Sequence, residues 1–270
     1  AVANGCRMLR GVRVGMRDDV ELATTVYLPL EGDSFPVVLV RTAYNAAGFY
    51  VPWLIEHGIA FVAQDCRGRY ASDGDWYPFT SEADDGADTL AWLHAQPWCN
   101  GRIGMFGDSY LAATQLLLAP EGCPELVALN PRFMAGDCWK RAYYCDGVFS
   151  LALTWRWLCF ECPGRVSRAT MLPRFDGSRL VGELPLLSLD EKCGCGVVPF
   201  YRDYLTHGAY GESWRGLSIR DKYERFNVPV LLTGGWYDYY AGETFTNYLG
   251  LVNAAPNPEL ARSHRVLVGP

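Results

Sequence analysis

Alternating hydrophobic and polar positions near the start of the chain predict a β-hairpin. Apolar residues alternate with polar or small ones over residues 12–16 and again over 20–28, and Asp18 and Asp19 separate the two runs. A period of two is typical of strands that are buried on one face. We therefore expect the chain to open with two antiparallel strands.

Continuous apolar runs further along predict buried parallel strands, which carry no alternation because both of their faces are covered. These runs occupy residues 36–40, 59–64, 102–106, 125–130, 228–235 and 264–269. Helical patterns fall near residues 48–57, 82–95 and 240–252. The order of elements predicts an α/β fold with a mostly parallel sheet.

Residues 135–222 differ from the rest, because they are crowded with Trp, Tyr, Phe and Cys and show no strand-type alternation. We interpret them as a mainly helical insertion between two parts of one core, residues 1–134 and 223–270. An insertion at this point lies over the carboxyl edge of the sheet, where α/β folds bind ligands, and so predicts a lid. A packed helical domain with no role in a site is the alternative.

Composition limits the partners of the chain. Half of the 270 residues are hydrophobic and a fifth are charged, which is enough for a large core. A net charge of −6 without a long Lys/Arg run argues against nucleic acids and anionic membranes. No apolar stretch is long enough to cross a bilayer, and the first ten residues hold no apolar signal core. We expect a soluble, cytoplasmic protein with a small-molecule partner, and its oligomeric state stays open.

Ten cysteines are scattered mostly through apolar segments, where a free thiol packs as a small hydrophobic group. Four of them have CxxC and CxC spacings that would suit a structural zinc or a disulfide, namely Cys159, Cys162, Cys193 and Cys195. Only one pair has the usual spacing of a zinc knuckle. We therefore expect no metal and no cofactor.

The segment GRIGMFGDSYLAA at 101–113 holds the most informative chemistry, because it passes from a strand through a glycine-flanked serine into a helix. A nucleophile elbow has this layout and needs small neighbours, which Gly107 and Ala112 supply. Ser109 would then be exposed at the sheet edge, beside the amide donors of a helix N-terminus. An ordinary strand-to-helix turn is the alternative.

Two further polar residues, Tyr44 and Asp238, follow apolar strands and should share an edge with Ser109. A serine needs a histidine to remove its proton, and that histidine needs a carboxylate to orient it. Asp238 suits this orienting role. It could equally be a turn residue that caps the helix that follows.

Four stretches together carry a resemblance to a known family. They are RTAYN at 41–45, QDCRGRYASDGDW at 64–76, GRIGMFGDSYLAATQ at 101–115 and VPVLLTGGWYD at 228–238. In order and spacing, the chain resembles the cocaine esterase and X-Pro dipeptidyl-peptidase branch of the α/β-hydrolases over most of residues 11–270. The resemblance implies an α/β-hydrolase core with an inserted lid.

The resemblance also implies roles for individual residues. Ser109 corresponds to the nucleophile and Asp238 to the triad acid, while the Tyr44 hydroxyl and the Tyr110 backbone amide correspond to the oxyanion hole. The implied reaction is hydrolysis of a carboxylic ester or amide through an acyl-serine. Four aromatic residues could line a substrate pocket beneath the lid: Trp139, Tyr143, Tyr144 and Trp155.

Some members of this family cleave peptides after proline or hydrolyse α-amino esters, and these recognise an ammonium group. No carboxylate cluster in the chain demands such a substrate, although Glu243 and residues 73–75 leave it open. Where the family usually has a glycine, this chain has Ala112.

The histidine of the triad is the main departure from the family. It follows the acid in chain order, so His264 alone qualifies among His57, His94, His207 and His264. A strand over 264–268 spans roughly 13 to 17 Å, which predicts a solvated His264 at the edge opposite Ser109.

The resemblance places the triad histidine just beyond Pro270 and a β-sandwich after it, so it indicates a truncated, inactive hydrolase. A catalytically silent protein that binds a ligand without chemistry is the alternative from another class.

Charged residues outside these motifs have structural interpretations. Asp65, Arg67 and Arg69 predict ionic or hydrogen-bonded structure behind the site. A second set predicts the first turns of a helix, where acidic groups complement the dipole: Glu82, Asp84, Asp85 and Asp88.

Overall fold

The computed structural model describes residues 2–3, 5–158, 164, 182–192 and 194–270. Within these ranges, one sheet holds nine strands and a separate ladder holds two. The strands are β1 Val2–Ala3, β2 Cys6–Gly15, β3 Glu21–Pro29, β4 Phe35–Thr42, β5 Ala60–Asp65, β6 Cys99–Asp108, β7 Leu126–Arg132, β8 Tyr144–Cys145, β9 Val148–Phe149, β10 Leu231–Gly235 and β11 Arg265–Gly269.

The strand order in the main sheet is β1-β2-β3-β5-β4-β6-β7-β10-β11. Strands β1, β2, β3 and β5 pair in antiparallel fashion, and every pair from β5 to β11 is parallel. The predicted hairpin is confirmed as β2 and β3, and each predicted apolar run overlaps a strand of the parallel part. The α/β fold class is therefore confirmed.

The described helices alternate with the parallel strands and then cluster between β7 and β10. They are α1 Pro52–Glu56, α2 Glu82–His94, α3 Tyr110–Leu118, α4 Leu151–Arg156, α5 Leu189–Lys192, α6 Pro199–Thr206, α7 Glu212–Arg215, α8 Ala241–Ala254 and α9 Pro258–Ser263. The helix predicted over 48–57 is shorter in the structure. A 3₁₀ turn covers Ala46–Gly48, and α1 begins only at Pro52.

Apolar side chains cover both faces of the sheet. On one face, Leu54 of α1 packs in a cluster with Val40 and Phe61. On the other, Leu39 belongs to a larger cluster that includes Leu116 of α3 and much of the segment after β7. Because neighbouring strand residues point to opposite faces, the continuous apolar runs in the sequence are explained.

The segment between β7 and β10 contains short helices, as predicted, and also the β8–β9 ladder, which was not predicted. Its two ends meet where the Ile219 amide donates to the Gly136 carbonyl oxygen at 2.8 Å. Cys159, Cys162 and Cys193 lie outside the described residues, and Cys195 is half-buried. None of the described helices is both long and apolar enough to cross a membrane.

The strand register brings the carboxyl-terminal parts of five strands together at one edge. Thr42 pairs with Asp65, Asp108 with Arg132, and Arg132 with Thr233. The loops that leave these strands carry Tyr44, Ser109 and Asp238. The three residues therefore lie along the carboxyl edge of the sheet, as the sequence predicts.

Candidate active site

Ser109 joins β6 to α3 in a backbone conformation that non-glycine residues rarely adopt, with φ of 54° and ψ of −118°. Its amide donates to the Arg132 carbonyl oxygen at 2.9 Å, and its own carbonyl oxygen accepts from the Ala112 and Ala113 amides. The side chain is exposed. Strained positions of this kind persist only where the surrounding structure holds them, and they concentrate at functional sites.

Gly107 lets the elbow close tightly. Its φ is 149°, and a Cβ atom at this position would lie 2.4 Å from the Cβ atom of Leu111 in the first turn of α3. Ala112 is completely buried below the turn. Both residues predicted as small neighbours of the serine are thus tightly enclosed.

Tyr110 is the first residue of α3, where a backbone amide has no partner within the helix. Its side chain is buried, and its hydroxyl donates to Glu82 Oε1 at 2.6 Å while accepting from the Phe79 amide at 2.9 Å. Burial and the nearby Glu82 carboxylate raise the pKa of the Tyr110 hydroxyl well above its ordinary value. The backbone amide therefore lies beside Ser109 on a residue whose side chain is anchored.

Tyr44 follows β4 and reaches the segment after β7. Its hydroxyl accepts a hydrogen bond from Trp157 Nε1 at 3.0 Å, and its ring lies edge-on to the ring of Tyr110 at 6.4 Å between centroids. The Tyr44 amide donates to Thr42 Oγ1 at 3.0 Å. These contacts place Tyr44 beside the start of α3.

Asp238 lies in the turn between β10 and α8. Its Oδ2 atom accepts from the Tyr240 amide at 2.9 Å, so it does form the turn contact that the alternative interpretation expects. No hydrogen bond from the described residues reaches its Oδ1 atom. A Cβ atom placed on Gly235 would lie 3.6 Å from Asp238 Cβ and 3.4 Å from the Pro270 carbonyl oxygen. The turn that holds Asp238 thus converges with the end of β11.

A cavity of about 150 Å³ opens at Ser109. Its described lining is mostly apolar and contains no charged side chain: Phe79, Ser109, Tyr110, Met134, Ala142, Tyr143, Leu153, Thr154, Trp157 and Tyr240. An apolar cavity of roughly 150 Å³ holds one benzene-sized group. The exposed serine therefore faces a space that suits a compact apolar group.

The four aromatic residues predicted to line a pocket separate into two groups. Tyr143 lines the cavity, whereas the described lining does not include Trp139, Tyr144 or Trp155. The Tyr144 hydroxyl donates to the Tyr204 carbonyl oxygen at 2.9 Å, and the Trp139 indole donates to the Gly208 carbonyl oxygen at 3.0 Å. Both rings therefore contact other parts of the segment between β7 and β10.

Sequence reasoning missed Phe79, Trp157 and Tyr240, which all line the cavity. Burial raises the pKa of Tyr240, and nearby Asp238 and Tyr44 add to the effect. Tyr240 contacts Asp238 directly, since its backbone amide donates to Asp238 Oδ2 at 2.9 Å. In the sequence, Tyr240 could have been recognised by its position two residues after Asp238. Phe79 lies in a loop that carries no periodic pattern.

All four histidines are described, and hydrogen bonds join none of them to Ser109 or Asp238. A ring nitrogen of His57 contacts the Trp53 carbonyl oxygen, and one of His207 contacts that of Asp203. The expectation of a solvated His264 is wrong, because the side chain is 1% exposed. His264 is the single residue between the end of α9 and the start of β11, so a position at the start of a strand did not make it accessible.

Behind the elbow, the acidic residues of α2 form buried ion pairs in addition to occupying the first turns. Glu82 pairs with Arg41 at 2.9 Å, and Asp85 pairs with Arg67 at 2.6 Å. Asp65 accepts from the Ala46 amide at 2.6 Å. The remaining members of these sets also have partners: Asp84 and Asp88 with Arg17, and Arg69 with the Ala43 carbonyl oxygen. Among the described residues, no group of three His, Cys, Asp or Glu side chains is arranged to hold a metal.

Comparisons with known proteins show which family and fold the chain resembles. Cocaine esterase of Rhodococcus sp. (strain MB1 Bresler) is 31% identical over 281 residues, covering 96% of this chain and 48% of the esterase. An α-amino acid ester hydrolase superposes with a TM-score of 0.81 at 23% identity, over 100% of this chain and 49% of that chain. An aminopeptidase from a marine sediment Thaumarchaeota archaeon superposes with a TM-score of 0.79 at 20% identity, over 98% of this chain and 48% of that chain.

The solved structures show the α/β-hydrolase fold, and this chain spans about half the length of the relatives it matches. The model of the X-Pro dipeptidyl-peptidase (S15) family matches residues 18–270. The chain therefore belongs to the X-Pro dipeptidyl-peptidase (S15) family of serine esterases and peptidases.

Proposed function

We propose that this protein cleaves a carboxylic ester through an acyl-serine intermediate on Ser109. The observation that carries the proposal is an exposed serine at a positive-φ elbow, open to an apolar cavity. An ordinary strand-to-helix turn has no need of such a conformation. The predicted roles of the surrounding residues follow from this assignment.

In the proposed reaction, the acyl group of the ester occupies the cavity and Ser109 Oγ attacks the carbonyl carbon. The Tyr110 amide and the Tyr44 hydroxyl donate to the oxyanion, and each such donor typically contributes roughly 3 kcal/mol. The alcohol leaves with a proton from the general acid. Water then attacks the acyl-serine, which releases the carboxylic acid and restores the serine.

The proton of Ser109 needs an acceptor, and the structure supports a histidine oriented by Asp238. Asp238 Oδ2 is engaged with the Tyr240 amide, which leaves Oδ1 to accept from an imidazole N–H. Hydrogen bonds join none of the four histidines in residues 1–270 to Asp238 or Ser109, so we assign the role of base to none of these four.

The charge of the cavity favours an ester with an uncharged acyl group over a substrate that carries an ammonium. No carboxylate belongs to the described lining. Glu243 pairs with Arg220 at 2.6 Å, and Asp73 lies 3.6 Å from Arg13. Glu243 and Asp73 are therefore paired with arginines, and neither they nor Asp75 belong to the described lining of this cavity.

We also propose that residues 135–222 are a lid over a core formed by residues 1–134 and 223–270. Tyr143, Leu153 and Trp157 of this segment line the cavity at Ser109. Ala142 and Thr154 of the same segment also line it, and the remaining described walls come from the core, including Phe79 and Tyr240. A cavity with walls from both parts is closed only when residues 135–222 pack over the core.

A fluorophosphonate probe and a series of p-nitrophenyl esters test the proposal on the natural full-length protein. We expect stoichiometric labelling and ester turnover, both abolished by Ser109→Ala. Ser34→Ala is the matched control, since Ser34 is another exposed serine but lies outside the elbow. An unlabelled full-length protein would favour a ligand-binding role, and turnover confined to proline-containing peptides would favour a peptidase.

A further inference from the structure

The carboxylate of Glu82 links the two segments that carry the proposed oxyanion donors. Glu82 is the first residue of α2 and is 3% exposed. Its Oε1 atom accepts from the Tyr110 hydroxyl at 2.6 Å, and its Oε2 atom lies 2.9 Å from Arg41 Nη1. One carboxylate oxygen therefore contacts α3 and the other contacts β4.

Arg41 connects this carboxylate to Tyr44. It lies on β4, three residues before Tyr44, and is fully buried. Its Nη1 atom also donates to the Glu82 carbonyl oxygen at 2.9 Å, and its Nε atom donates to Gln64 Oε1 at 2.9 Å. The end of β4 is thereby fixed to the first turn of α2.

The Tyr110 side chain is held on several sides. Besides its bond to Glu82, its hydroxyl accepts from the Phe79 amide, and its ring stacks on Phe79 at 4.8 Å and tilts against Trp76 at 5.0 Å. The backbone amide of Tyr110 belongs to the same residue, at the N-terminus of α3. Fixing the ring therefore restricts the direction of the amide beside Ser109.

We propose that Glu82 is a positioning residue for the oxyanion hole, because one buried carboxylate anchors Tyr110 directly and the Tyr44 segment through Arg41. This inference rests on the proposed function of Ser109. Charge-assisted hydrogen bonds in a buried environment are short and directional, and catalytic donors must be placed to within a fraction of an ångström. A purely structural ion pair would make the same contacts and leave the chemistry unchanged.

Two variants test the proposal in the natural full-length protein. Tyr110→Phe removes the hydroxyl that reaches Glu82 and keeps the backbone amide at residue 110. Glu82→Gln keeps the shape of the side chain but removes the charge that faces Arg41, so it carries the greater risk to folding. The control is Tyr223→Phe, which removes another buried hydroxyl, bonded at 2.8 Å to Asn247 Oδ1.

Fluorophosphonate titration counts the active sites, so that kcat is expressed per reactive serine. We expect Tyr110→Phe to lower kcat by tenfold to about a hundredfold with little change in KM. We also expect it to weaken an alkyl boronate, which forms a tetrahedral adduct on the serine, by a factor similar to the loss of kcat/KM. Tyr223→Phe should lower the urea midpoint and leave kcat per site unchanged.

Unchanged kcat per site and unchanged boronate affinity in Tyr110→Phe would overturn the positioning role while leaving the proposed hydrolase intact. Absence of labelling in the unsubstituted full-length protein would overturn both. If Glu82→Gln folds, its loss of kcat and that of Tyr110→Phe should not add in the double variant, since both break the same link. Additive losses would also count against the proposal.

Discussion

A methyl group on Gly107 would lie 2.4 Å from the Cβ atom of Leu111, and the backbone of Gly107 has a φ of 149°. Gly107→Ala therefore combines backbone strain with a steric clash inside the elbow. We expect a loss of about 3 kcal/mol or more in the free energy of unfolding, together with loss of serine labelling. Urea unfolding followed by tryptophan fluorescence measures the first effect.

Gly242→Ala is the matched control for this substitution. Gly242 lies in the first turn of α8, and a Cβ atom there would meet nothing within 4 Å. Alanine is the better helix former by about 1 kcal/mol, so this variant should be as stable as the unsubstituted protein or more stable. Equal losses in the two variants would contradict a specific requirement at Gly107.

Leu153 is 45% exposed and lines the cavity at Ser109, so a larger side chain there should narrow the entrance without disturbing the core. We expect Leu153→Trp to lower kcat/KM about tenfold for esters with long acyl chains and to spare acetyl esters. Leu249→Trp changes an exposed leucine of α8 and should leave both activities unaltered. A uniform loss across the ester series in Leu153→Trp would argue against this cavity as the acyl site.

Desolvation lowers the pKa of His264 below its ordinary value of 6.5, because its ring is buried and neither nitrogen has a partner among the described residues. The unfolded chain therefore binds a proton more readily than the folded one. The stability contributed by neutral His264 is present above about pH 6.5 and decreases as the pH falls toward the lowered pKa.

We expect His264→Leu to reduce the loss of stability between neutral and mildly acidic pH, since leucine cannot take up a proton. Urea midpoints at several pH values measure the difference. His57→Gln is the comparison, because it removes an exposed histidine instead of a buried one. An equally steep acid loss in His264→Leu would show that other groups cause it.

β11 is the last strand of the described sheet, and Leu267 on this strand is 58% exposed. An apolar, unpaired edge favours association between copies, and lysine on such an edge opposes it. We expect the isolated 270-residue chain to self-associate and Leu267→Lys to shift it toward the monomer in size-exclusion chromatography with light scattering. Leu249→Lys should have no such effect, and a monomeric unsubstituted chain would contradict the expectation.

The fold was largely predictable because its strands are buried in a regular way. Residues 36–40 and 59–64 are continuously apolar, which parallel strands covered on both faces require. The β8–β9 ladder was not predictable, since strands as short as Tyr144–Cys145 carry no detectable period. The exact division into core and lid stays a prediction.

The site residues could be predicted where a reactive or polar side chain comes soon after the end of a strand. Ser109 and Asp238 occupy such positions, and the sheet register brings their loops to one edge. Phe79 and the Glu82 link to Arg41 were not predictable, because contacts between residues about 40 positions apart leave no pattern in a single sequence. The burial of His264 was not predicted, because its position at the start of a strand indicates the edge of the sheet at which it lies and not whether its side chain is buried.

The hydrogen bond from Trp157 to the Tyr44 hydroxyl joins the segment between β7 and β10 to a residue of the proposed oxyanion hole. A hydroxyl whose oxygen accepts a hydrogen bond becomes a stronger donor of its own proton, since bonds in a chain polarise one another. The indole would therefore strengthen the hydrogen bond that the phenol donates to a developing negative charge. The position of Trp157 would therefore influence how strongly the site stabilises the oxyanion, in addition to excluding water from it.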